Sequence, residues 1–290
     1  MRYRNPLIFS FLVFISFTAG CLQDDFKTIC GYWPDQANSR VTFCSTLPPD
    51  FDFHNEYPII YFLHGATGNA FNWDRSPEGK EARQYAAQKY KQIPIVVALS
   101  FGPQGLITDT QSNHLKTLID EFIPFVETTL PSNGKRGVWG HSMGGFNGFQ
   151  LYFKKPEMFD SFTLGCPAVT PISNHSTEEE ITDYVERTGA IRSWVNSMNQ
   201  IFALFFPTRQ DWDRHDILRM ADELSPGAPM PPLAFSWNTT DQLGFQEGSE
   251  QLLETLALKN INPQYKIIEG SHCSSINVRD FVDFHQQYLF

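Results

Sequence analysis

Two kinds of apolar segment alternate along the chain from residue 58 onward. The first kind is a short, continuous apolar run, which is typical of a parallel strand buried on both faces. The clearest example is residues 58–63, PIIYFL. The second kind has apolar residues three or four positions apart, which predicts an amphipathic helix. Because the two kinds alternate, we expect crossover connections and a mostly parallel central sheet with helices on both faces.

The apolar runs predict six strands, and the preceding stretch adds edge strands. The runs cover residues 58–63, 93–99, 137–139, 161–164, 233–237 and 264–268, and the edge strands lie between residues 31 and 47. Helices are predicted over residues 115–126, 146–153 and 249–258, and at the C-terminus. A further helix should begin at an N-cap, Ser76, with Pro77 in the first helical position. Pro124 should kink or end its helix because it lacks an N–H group.

Length and charge narrow the class of protein. The 290 residues, of which 41% are hydrophobic, suffice for one large domain. The formal net charge of -10 argues against nucleic-acid binding, which requires a basic face. The composition does not define an oligomeric state.

Residues 140–144, GHSMG, form a Gly-x-Ser-x-Gly pentapeptide between a predicted strand and a predicted helix. This is the setting of a nucleophile elbow. Glycine is required at Gly140 and Gly144 because a Cβ atom there would collide with neighbouring elements. Ser142 should then stand exposed above a helix N-terminus, whose free N–H groups favour a developing oxyanion. Ser142 is therefore the predicted nucleophile.

A second glycine-containing turn, residues 64–68 (HGATG), follows the predicted strand 58–63. In enzymes with a nucleophile elbow, one oxyanion donor lies in such a turn and the other is the N–H after the nucleophile. We assign the two donors to the amides of Ala66 and Met143. His64 is expected to be a structural hydrogen-bonding residue rather than a base.

The predicted acid and base each follow a strand in the second half of the chain. Asp241 stands just beyond residues 233–237, and His272 lies in the loop after residues 264–268. The order Ser142, Asp241, His272 is that of an α/β-hydrolase triad. The rival carboxylates are Asp211, Asp213 and Glu247. None of these follows a predicted strand so closely. His141 should point away from the site.

Residues 170–230 depart from the strand and helix alternation. Apolar side chains stand among polar ones here, namely Trp194, Met198, Phe202, Phe205 and Phe206. We expect a helical insertion after the strand that follows the nucleophile helix. It has two interpretations, a lid or acyl-binding wall over the carboxyl edge of the sheet, or ordinary core packing.

Residues 1–20 have the pattern of an export signal. Two arginines precede an apolar run over residues 7–17, which is too short for a comfortable membrane span. The end of the segment also resembles a bacterial lipobox, although Thr18 replaces the usual leucine. We expect a signal peptide at residues 1–20, one catalytic domain at 21–290, and secretion or attachment to the cell envelope through a lipidated Cys21.

Export changes the interpretation of the cysteines, because an oxidising compartment permits disulfides. Cys30 and Cys44 flank a predicted hairpin and form the better pair. Cys166 and Cys273 could meet near the active site as a disulfide or stay free as buried thiols. None of the cysteine spacings indicates zinc.

The motifs LHGATG, FIPFVETTL and GVWGHSMGGFNGFQLYFKKPEMF together resemble the putative-esterase family of α/β-hydrolases. That family contains S-formylglutathione hydrolases, feruloyl, acetyl-xylan and enterochelin esterases, and the antigen 85 mycolyltransferases. The resemblance extends from about Tyr57 to the C-terminus and is sharpest around Ser142. It implies an α/β-hydrolase fold and a serine esterase without a metal or organic cofactor.

The predicted function is a secreted or envelope-attached carboxylic-ester hydrolase that acts on a small-molecule or polysaccharide-linked acyl ester. Three alternatives stay open. An acyltransferase of the antigen 85 type would pass the acyl group to a sugar hydroxyl. A thioesterase like S-formylglutathione hydrolase would belong in the cytosol, against which the leader argues. A catalytically silent binding protein would not need the intact triad. The acyl chain and the alcohol are not defined by the sequence.

Overall fold

The computed structural model describes residues 25–34, 40–110 and 112–290. The expected signal peptide, residues 1–20, and the possible lipidation site, Cys21, lie outside these residues. Within the described part of the chain, no helix combines the length and apolar character needed to cross a bilayer.

The described residues form eight strands in a single sheet. They are β1 (Lys27–Pro34), β2 (Arg40–Leu47), β3 (Tyr57–Leu63), β4 (Ile95–Ser100), β5 (Ser132–His141), β6 (Ser161–Gly165), β7 (Leu233–Asn238) and β8 (Gln264–Ile268). Their order across the sheet is β1-β2-β4-β3-β5-β6-β7-β8. The pairs β1–β2 and β2–β4 are antiparallel, and the other pairs are parallel. The expectation of a mostly parallel sheet with edge strands from the first part of the chain is confirmed.

Eleven α-helices lie in the described residues. They are α1 (Asn72–Arg75), α2 (Pro77–Lys89), α3 (His114–Lys116), α4 (Ile123–Thr129), α5 (Met143–Lys154), α6 (Glu178–Thr188), α7 (Arg192–Phe205), α8 (Arg209–Asp213), α9 (Ile217–Asp222), α10 (Phe245–Leu258) and α11 (Val278–Leu289). A π-helical segment, Thr117–Phe122, joins α3 to α4. A short 3-10 turn, Pro156–Met158, follows α5.

The side chains of β3 enter two apolar layers, one on each face of the sheet. Ile59, Tyr61 and Leu63 pack in the layer that also contains residues of α4, α5, α10 and the insertion. Ile60 and Phe62 pack in the other layer, under α2 and α11. Because successive side chains of a strand point to opposite faces, a strand covered on both faces must be apolar throughout. This burial explains the continuous apolar run in the sequence.

The N-terminus of α2 agrees with the sequence signal. The Ser76 side chain accepts a hydrogen bond from the N–H of Gly79 at 3.0 Å, and Pro77 is the first helical residue. A serine cap satisfies one of the free N–H groups at a helix start, and a proline there sacrifices no hydrogen bond.

The helix around Pro124 does not end there, so of the two expected outcomes, a kink or an end, the end is wrong. The chain is π-helical over Thr117–Phe122 and continues as α4 from Ile123. Pro124 is thus the second residue of α4, a position at which an N–H group usually has no partner within the helix. The change of helix type makes the missing N–H harmless.

The start of α10 lies at Phe245, about four residues before the start predicted from the apolar stripe. Gly244 adopts a left-handed conformation, with φ of 79°, just before the helix. Gly248 lies in the first turn, where a Cβ would stand 2.2 Å from the carbonyl oxygen of Val169. Glycine lowers the local helix propensity, so this first turn depends on tertiary packing that the sequence pattern did not reveal.

The expected helical insertion is present, since α6, α7, α8 and α9 lie between β6 and β7. Met198 and Phe202 of α7, and Phe206 after it, are buried in the same apolar layer as Tyr61. Trp194 is 46% exposed. Core packing therefore accounts for the first three side chains, and Trp194 lies at the surface.

Both cysteine pairs considered from the sequence form disulfides. Cys30 and Cys44 are opposite each other on the antiparallel strands β1 and β2. Cys166 directly follows β6 and bonds Cys273 in the loop after β8. The second pair, for which free thiols were the alternative, is thus also a disulfide.

Candidate active site

The carboxyl ends of the parallel strands lie at one edge of the sheet, and the predicted site residues follow them. Ser142 comes directly after β5, and Ala66 lies shortly after β3. Asp241 and His272 lie in the loops after the neighbouring strands β7 and β8. The fold therefore brings all four positions to the same edge.

The turn at Ser142 has the backbone of a nucleophile elbow. Ser142 has φ of 54° and ψ of -120°, a conformation that non-glycine residues rarely adopt. A Cβ at Gly140 would stand 2.2 Å from the carbonyl oxygen of Gly144, and a Cβ at Gly144 would stand 1.9 Å from the carbonyl oxygen of Leu63. Only glycine fits at these two positions. Because α5 begins at Met143, Ser142 occupies the N-cap position of that helix.

Ser142, His272 and Asp241 form a continuous hydrogen-bonded chain. Ser142 Oγ lies 2.8 Å from His272 Nε2, and His272 Nδ1 lies 2.6 Å from Asp241 Oδ2. Asp241 is buried, and its other carboxylate oxygen accepts the N–H of Leu243 at 2.7 Å. An ionised carboxylate can only accept hydrogen bonds, so Nδ1 carries the imidazole proton. Nε2 is then free to accept the proton of the Ser142 hydroxyl.

Two backbone amides lie beside Ser142 without an acceptor in the described part of the chain. They belong to Ala66, in the turn after β3, and to Met143, the first residue of α5. A Cβ at Gly65 would stand 3.4 Å from the Cβ of Ser142, so the turn packs directly against the serine. The N–H of Thr67 donates to the carbonyl oxygen of Pro103 at 2.7 Å and holds this turn in place.

His64 hydrogen-bonds to the turn after β3 and to the end of β4. Its Nδ1 lies 2.7 Å from the carbonyl oxygen of Gly65, and its Nε2 lies 2.8 Å from Ser100 Oγ. Nδ1 therefore donates to the carbonyl oxygen, and Nε2 accepts from the Ser100 hydroxyl. Burial lowers the pKa of His64, which keeps the ring neutral at pH 7. Because both ring nitrogens are hydrogen-bonded within the fold, the role of His64 is structural.

His141, the neighbour of Ser142, does not join the hydrogen-bonded chain. Its ring packs against Phe62, with ring centroids 5.3 Å apart, and lies next to Gly65. Burial lowers the pKa of His141 to about 4, so the ring is neutral near pH 7. The ring helps to pack the turn of the elbow against the turn that carries Ala66.

The three rival carboxylates bond to arginine side chains instead of to His272. The pairs are Glu247 with Arg187 at 3.0 Å, Asp211 with Arg214 at 2.7 Å, and Asp213 with Arg209 at 2.8 Å. Asp241 is therefore the carboxylate that the structure brings to the imidazole.

A second serine and histidine contact lies away from this edge. Ser161 Oγ lies 2.8 Å from His285 Nδ1, and Thr163 Oγ1 lies 2.8 Å from His285 Nε2. All three side chains are buried between β6 and α11, and the His285 ring stacks on Trp139. Burial lowers the pKa of His285 to about 3. Both ring nitrogens face hydroxyl groups, so this contact has neither the carboxylate nor the access of a catalytic triad.

Two amide side chains that the sequence analysis did not assign to the site hold the histidine loop. Gln242 Oε1 accepts the N–H of His272 at 3.0 Å, and Asn238 Oδ1 accepts the N–H of Cys273 at 3.1 Å. No local pattern marks either residue. The only signal is that Gln242 directly follows the predicted acid and that Asn238 ends the strand before it.

Comparison with known proteins identifies the family and the fold of the chain. A family profile described as "Putative esterase" matches residues 35–287. A putative dipeptidyl aminopeptidase of Schizosaccharomyces pombe is 25% identical over 154 residues, which is 50% of this chain and 17% of that protein. The chain thus spans less than a fifth of the length of this curated relative.

Two solved structures share the fold. A ferulic acid esterase has a TM-score of 0.68 and 14% identity, over 91% of this chain and 96% of the other. An S-formylglutathione hydrolase from Agrobacterium tumefaciens has a TM-score of 0.68 and 17% identity, over 93% of this chain and 98% of the other. From the family match and the fold together, the chain belongs to the putative-esterase family and has the α/β-hydrolase fold.

Proposed function

We propose that this esterase hydrolyses carboxylic esters through an acyl-enzyme on Ser142, with His272 as general base and Asp241 as the residue that orients it. The observation that carries the proposal is the chain of hydrogen bonds from Ser142 Oγ through the imidazole to Asp241, with distances of 2.8 and 2.6 Å. This chain starts at a serine held in an elbow backbone at the carboxyl edge of the sheet.

In the first step, Ser142 Oγ attacks the carbonyl carbon of the ester. A neutral hydroxyl is a weak nucleophile, so His272 Nε2 takes its proton as the new C–O bond forms. The carbonyl π electrons move to the oxygen and give a tetrahedral oxyanion. Asp241 stabilises the resulting imidazolium without taking the proton. The oxyanion then re-forms the carbonyl, and the alcohol leaves with the proton from Nε2.

The oxyanion is stabilised by the amides of Ala66 and Met143. The N-terminus of α5 points at the same place, and its dipole adds a favourable positive potential. The loss of one such donor costs about 3 kcal/mol of transition-state stabilisation in enzymes of this type.

Water completes the reaction in a second attack. His272 takes a proton from the water as the hydroxyl oxygen bonds to the acyl carbon. When the tetrahedral intermediate collapses, Ser142 Oγ leaves and regains its proton from Nε2. The carboxylic acid product is released, and the serine is restored. No step requires a group from outside the chain apart from water.

The enzyme is proposed to work outside the cytosol, as a secreted or envelope-attached protein. The two disulfides support this, because stable disulfides form mainly in oxidising compartments. The signal-like pattern of residues 1–20 supports it independently. Expression with the native leader, followed by intact-mass analysis, tests this part. Mature protein that begins at Cys21 is expected, with or without added lipid, whereas an uncleaved cytosolic protein would contradict export.

The substrate is proposed to be a small-molecule or polysaccharide-linked acyl ester. The fold likeness to a ferulic acid esterase supports this class only through the shared scaffold. The same acyl-enzyme could also pass its acyl group to a sugar hydroxyl, or form from a thioester. The choice of acceptor and of acyl group therefore has to be measured.

The test is hydrolysis of p-nitrophenyl esters from acetate to long-chain acyl groups, with ferulate and a thioester included. The wild-type protein is compared with Ser142→Ala and with Ser161→Ala, the matched control that removes a buried serine in contact with His285. We expect turnover to be lost only in Ser142→Ala. Turnover that survives in Ser142→Ala, or is lost equally in Ser161→Ala, would contradict the proposed nucleophile.

A further inference from the structure

Gln242 contacts His272 through its side chain while its neighbour Asp241 contacts the same residue through the imidazole. The side-chain Oε1 of Gln242 accepts the backbone N–H of His272 at 3.0 Å. Asp241 Oδ2 lies 2.6 Å from His272 Nδ1. Two successive residues thus hold both the main chain and the ring of the proposed base. The ring contact alone leaves the loop free to shift, because a hydrogen bond fixes a distance and not the path of the chain behind it.

Two further restraints hold the residue after His272. Asn238 Oδ1 accepts the N–H of Cys273 at 3.1 Å, and the Cys273 side chain is bonded to Cys166 at the end of β6. These contacts fix the loop downstream of the imidazole. Within the described residues, Gln242 supplies the corresponding hydrogen bond at the N–H of His272 itself.

Gln242 also contacts the insertion. Its main-chain carbonyl oxygen accepts the N–H of Ile191 at 2.8 Å, and Ile191 is the residue immediately before α7. The same residue therefore joins the start of α7 to the proposed catalytic loop.

The far end of α7 reaches the loop after β4. Phe205, the last residue of α7, lies 6.2 Å from His114 between ring centroids, and His114 stacks on Phe101 at 4.4 Å. A helix of 14 residues is about 21 Å long. Four strand spacings, from β7 to β4 in the sheet order, are about 19 Å. The helix α7 thus runs along the carboxyl edge, and Gln242 holds the end nearest His272.

Phe146 on α5 joins the nucleophile helix to α7. It lies one turn after Ser142 on α5, and its ring centroid is 5.9 Å from that of Phe202 on α7. The helix α7 is therefore packed against the nucleophile helix at one point, and its start is hydrogen-bonded at another to Gln242, whose side chain holds the histidine loop. The relative position of Ser142 and His272 depends on both contacts.

We propose that Gln242 is a positioning residue for His272, which holds the imidazole at hydrogen-bond distance from Ser142 by joining the histidine loop to α7. This inference rests on the proposed function of Ser142 and His272. A displacement of about 1 Å at a reacting group can cost about 100-fold in rate. Gln242 therefore acts on turnover and leaves substrate binding nearly unchanged.

The test compares three variants of the full chain. Gln242→Leu removes the acceptor oxygen at similar size, and Gln242→Glu keeps an oxygen that can accept the N–H of His272. Gln246→Leu is the matched control, because the side-chain amide of Gln246 donates to the carbonyl oxygen of Thr188 at 2.9 Å and not to the histidine loop. Each variant is measured for kcat and KM on a p-nitrophenyl ester and for the rate of Ser142 labelling by a fluorophosphonate.

We expect Gln242→Leu to lower kcat and the labelling rate by about 10- to 100-fold, with KM within about threefold of the wild-type value. Gln242→Glu should recover most of this loss, and Gln246→Leu should behave like the wild type. The inference is overturned if Gln242→Leu keeps wild-type turnover, if Gln246→Leu loses as much, or if Gln242→Glu recovers none of the loss. If Gln242→Leu does not fold, Gln242→Ala takes its place, with the same expected loss and the same overturning results.

The failure of the proposed function gives a different pattern. In that case the wild-type protein neither turns over esters nor reacts with the fluorophosphonate at Ser142. If the wild type is active and labelled, and the three glutamine variants do not differ, the function stands and the role of Gln242 is wrong.

Discussion

The disulfide between Cys166 and Cys273 joins the strand beside the nucleophile to the loop that carries His272. At the end of that strand, the carbonyl oxygen of Gly165 accepts the N–H of Ser142 at 3.0 Å. The loop that carries the proposed base is therefore linked covalently to the strand that accepts a hydrogen bond from the proposed nucleophile, although Ser142 and His272 are far apart in sequence. This link has consequences for both stability and turnover.

Removal of the Cys166–Cys273 disulfide should lower both the stability of the protein and its turnover of esters. The bond closes a loop with a sequence separation of 107 residues, for which the chain-entropy account gives about 4.7 kcal/mol of stabilisation. We expect the free energy of unfolding of the Cys166→Ser, Cys273→Ser double variant to be lower by a large part of this stabilisation. The variant should also turn over esters more slowly. Denaturant unfolding and steady-state kinetics on the same sample measure the two effects.

The other disulfide provides the matched control. Cys30 and Cys44 are separated by 14 residues on β1 and β2, remote from the site, and their bond is expected to contribute about 3 kcal/mol. The Cys30→Ser, Cys44→Ser variant should therefore be destabilised with unchanged turnover at a temperature where it is folded. Equal losses of turnover in both double variants would show that Cys166–Cys273 has no special relation to the site.

Replacement of Asp241 should lower turnover far more than replacement of a rival carboxylate. Asp241→Asn keeps the size of the side chain but favours the wrong tautomer of His272, which costs about 10,000-fold in the best studied triad. Glu247→Gln removes only a partly exposed ion pair with Arg187. The kcat values of the two variants decide which carboxylate orients His272. A large loss of kcat in Glu247→Gln with little loss in Asp241→Asn would contradict the assignment of Asp241.

Gly144→Ala should prevent correct folding of the elbow. The added Cβ would stand 1.9 Å from the carbonyl oxygen of Leu63, and backbone atoms on β3 cannot move away without disturbing the sheet. We expect a loss of more than about 4 kcal/mol in the free energy of unfolding, together with loss of Ser142 labelling.

Gly189→Ala serves as the control for that variant. Gly189 has φ of 73° and no atom within 4 Å of an added Cβ, so the replacement costs about 1 kcal/mol through backbone strain alone. Circular dichroism and denaturant unfolding compare the two proteins. Similar stability of the two variants would show that the elbow tolerates a side chain.

His285 should make the protein less stable as the pH falls. Burial lowers its pKa to about 3, whereas an unfolded histidine titrates near 6.5. Below about pH 6.5 the unfolded state therefore binds more protons than the folded state. The contribution of neutral His285 to the free energy of unfolding is complete above that pH and is lost as the pH falls toward 3. At pH 5 the loss amounts to about 2 kcal/mol.

The variant His285→Gln tests this dependence. Its free energy of unfolding should fall less steeply between pH 6.5 and 4 than that of the wild type. Identical slopes for the two proteins would show that His285 does not titrate differently in the folded and unfolded states.

The sequence predicted the sheet well because its signal is local. A strand covered on both faces needs consecutive apolar residues, so β3 and β7 could be located within a residue of their observed limits. The turn at Ser142 was equally accessible, because the Gly-x-Ser-x-Gly pattern is local, although the contact that requires Gly144 is with Leu63 on β3.

Features that depend on distant parts of the chain could not be predicted in the same way. The first turn of α10 needs the space that Gly248 leaves for the carbonyl oxygen of Val169. The pattern of apolar residues in the sequence does not indicate that contact. The bond from Gln242 to His272 spans 30 residues, and the bond from Gln242 to Ile191 joins the site to an insertion whose packing has no simple period. Such contacts follow from the fold rather than from a motif.

The most direct test of the account is intact-mass and peptide analysis of the protein after reaction with a fluorophosphonate, with Ser142→Ala and Ser161→Ala treated in parallel. The account predicts one covalent adduct, located on Ser142, in the wild type and in Ser161→Ala, and no adduct in Ser142→Ala. An unlabelled wild-type protein that is folded, or an adduct that persists in Ser142→Ala, would contradict the assignment of Ser142 as the nucleophile.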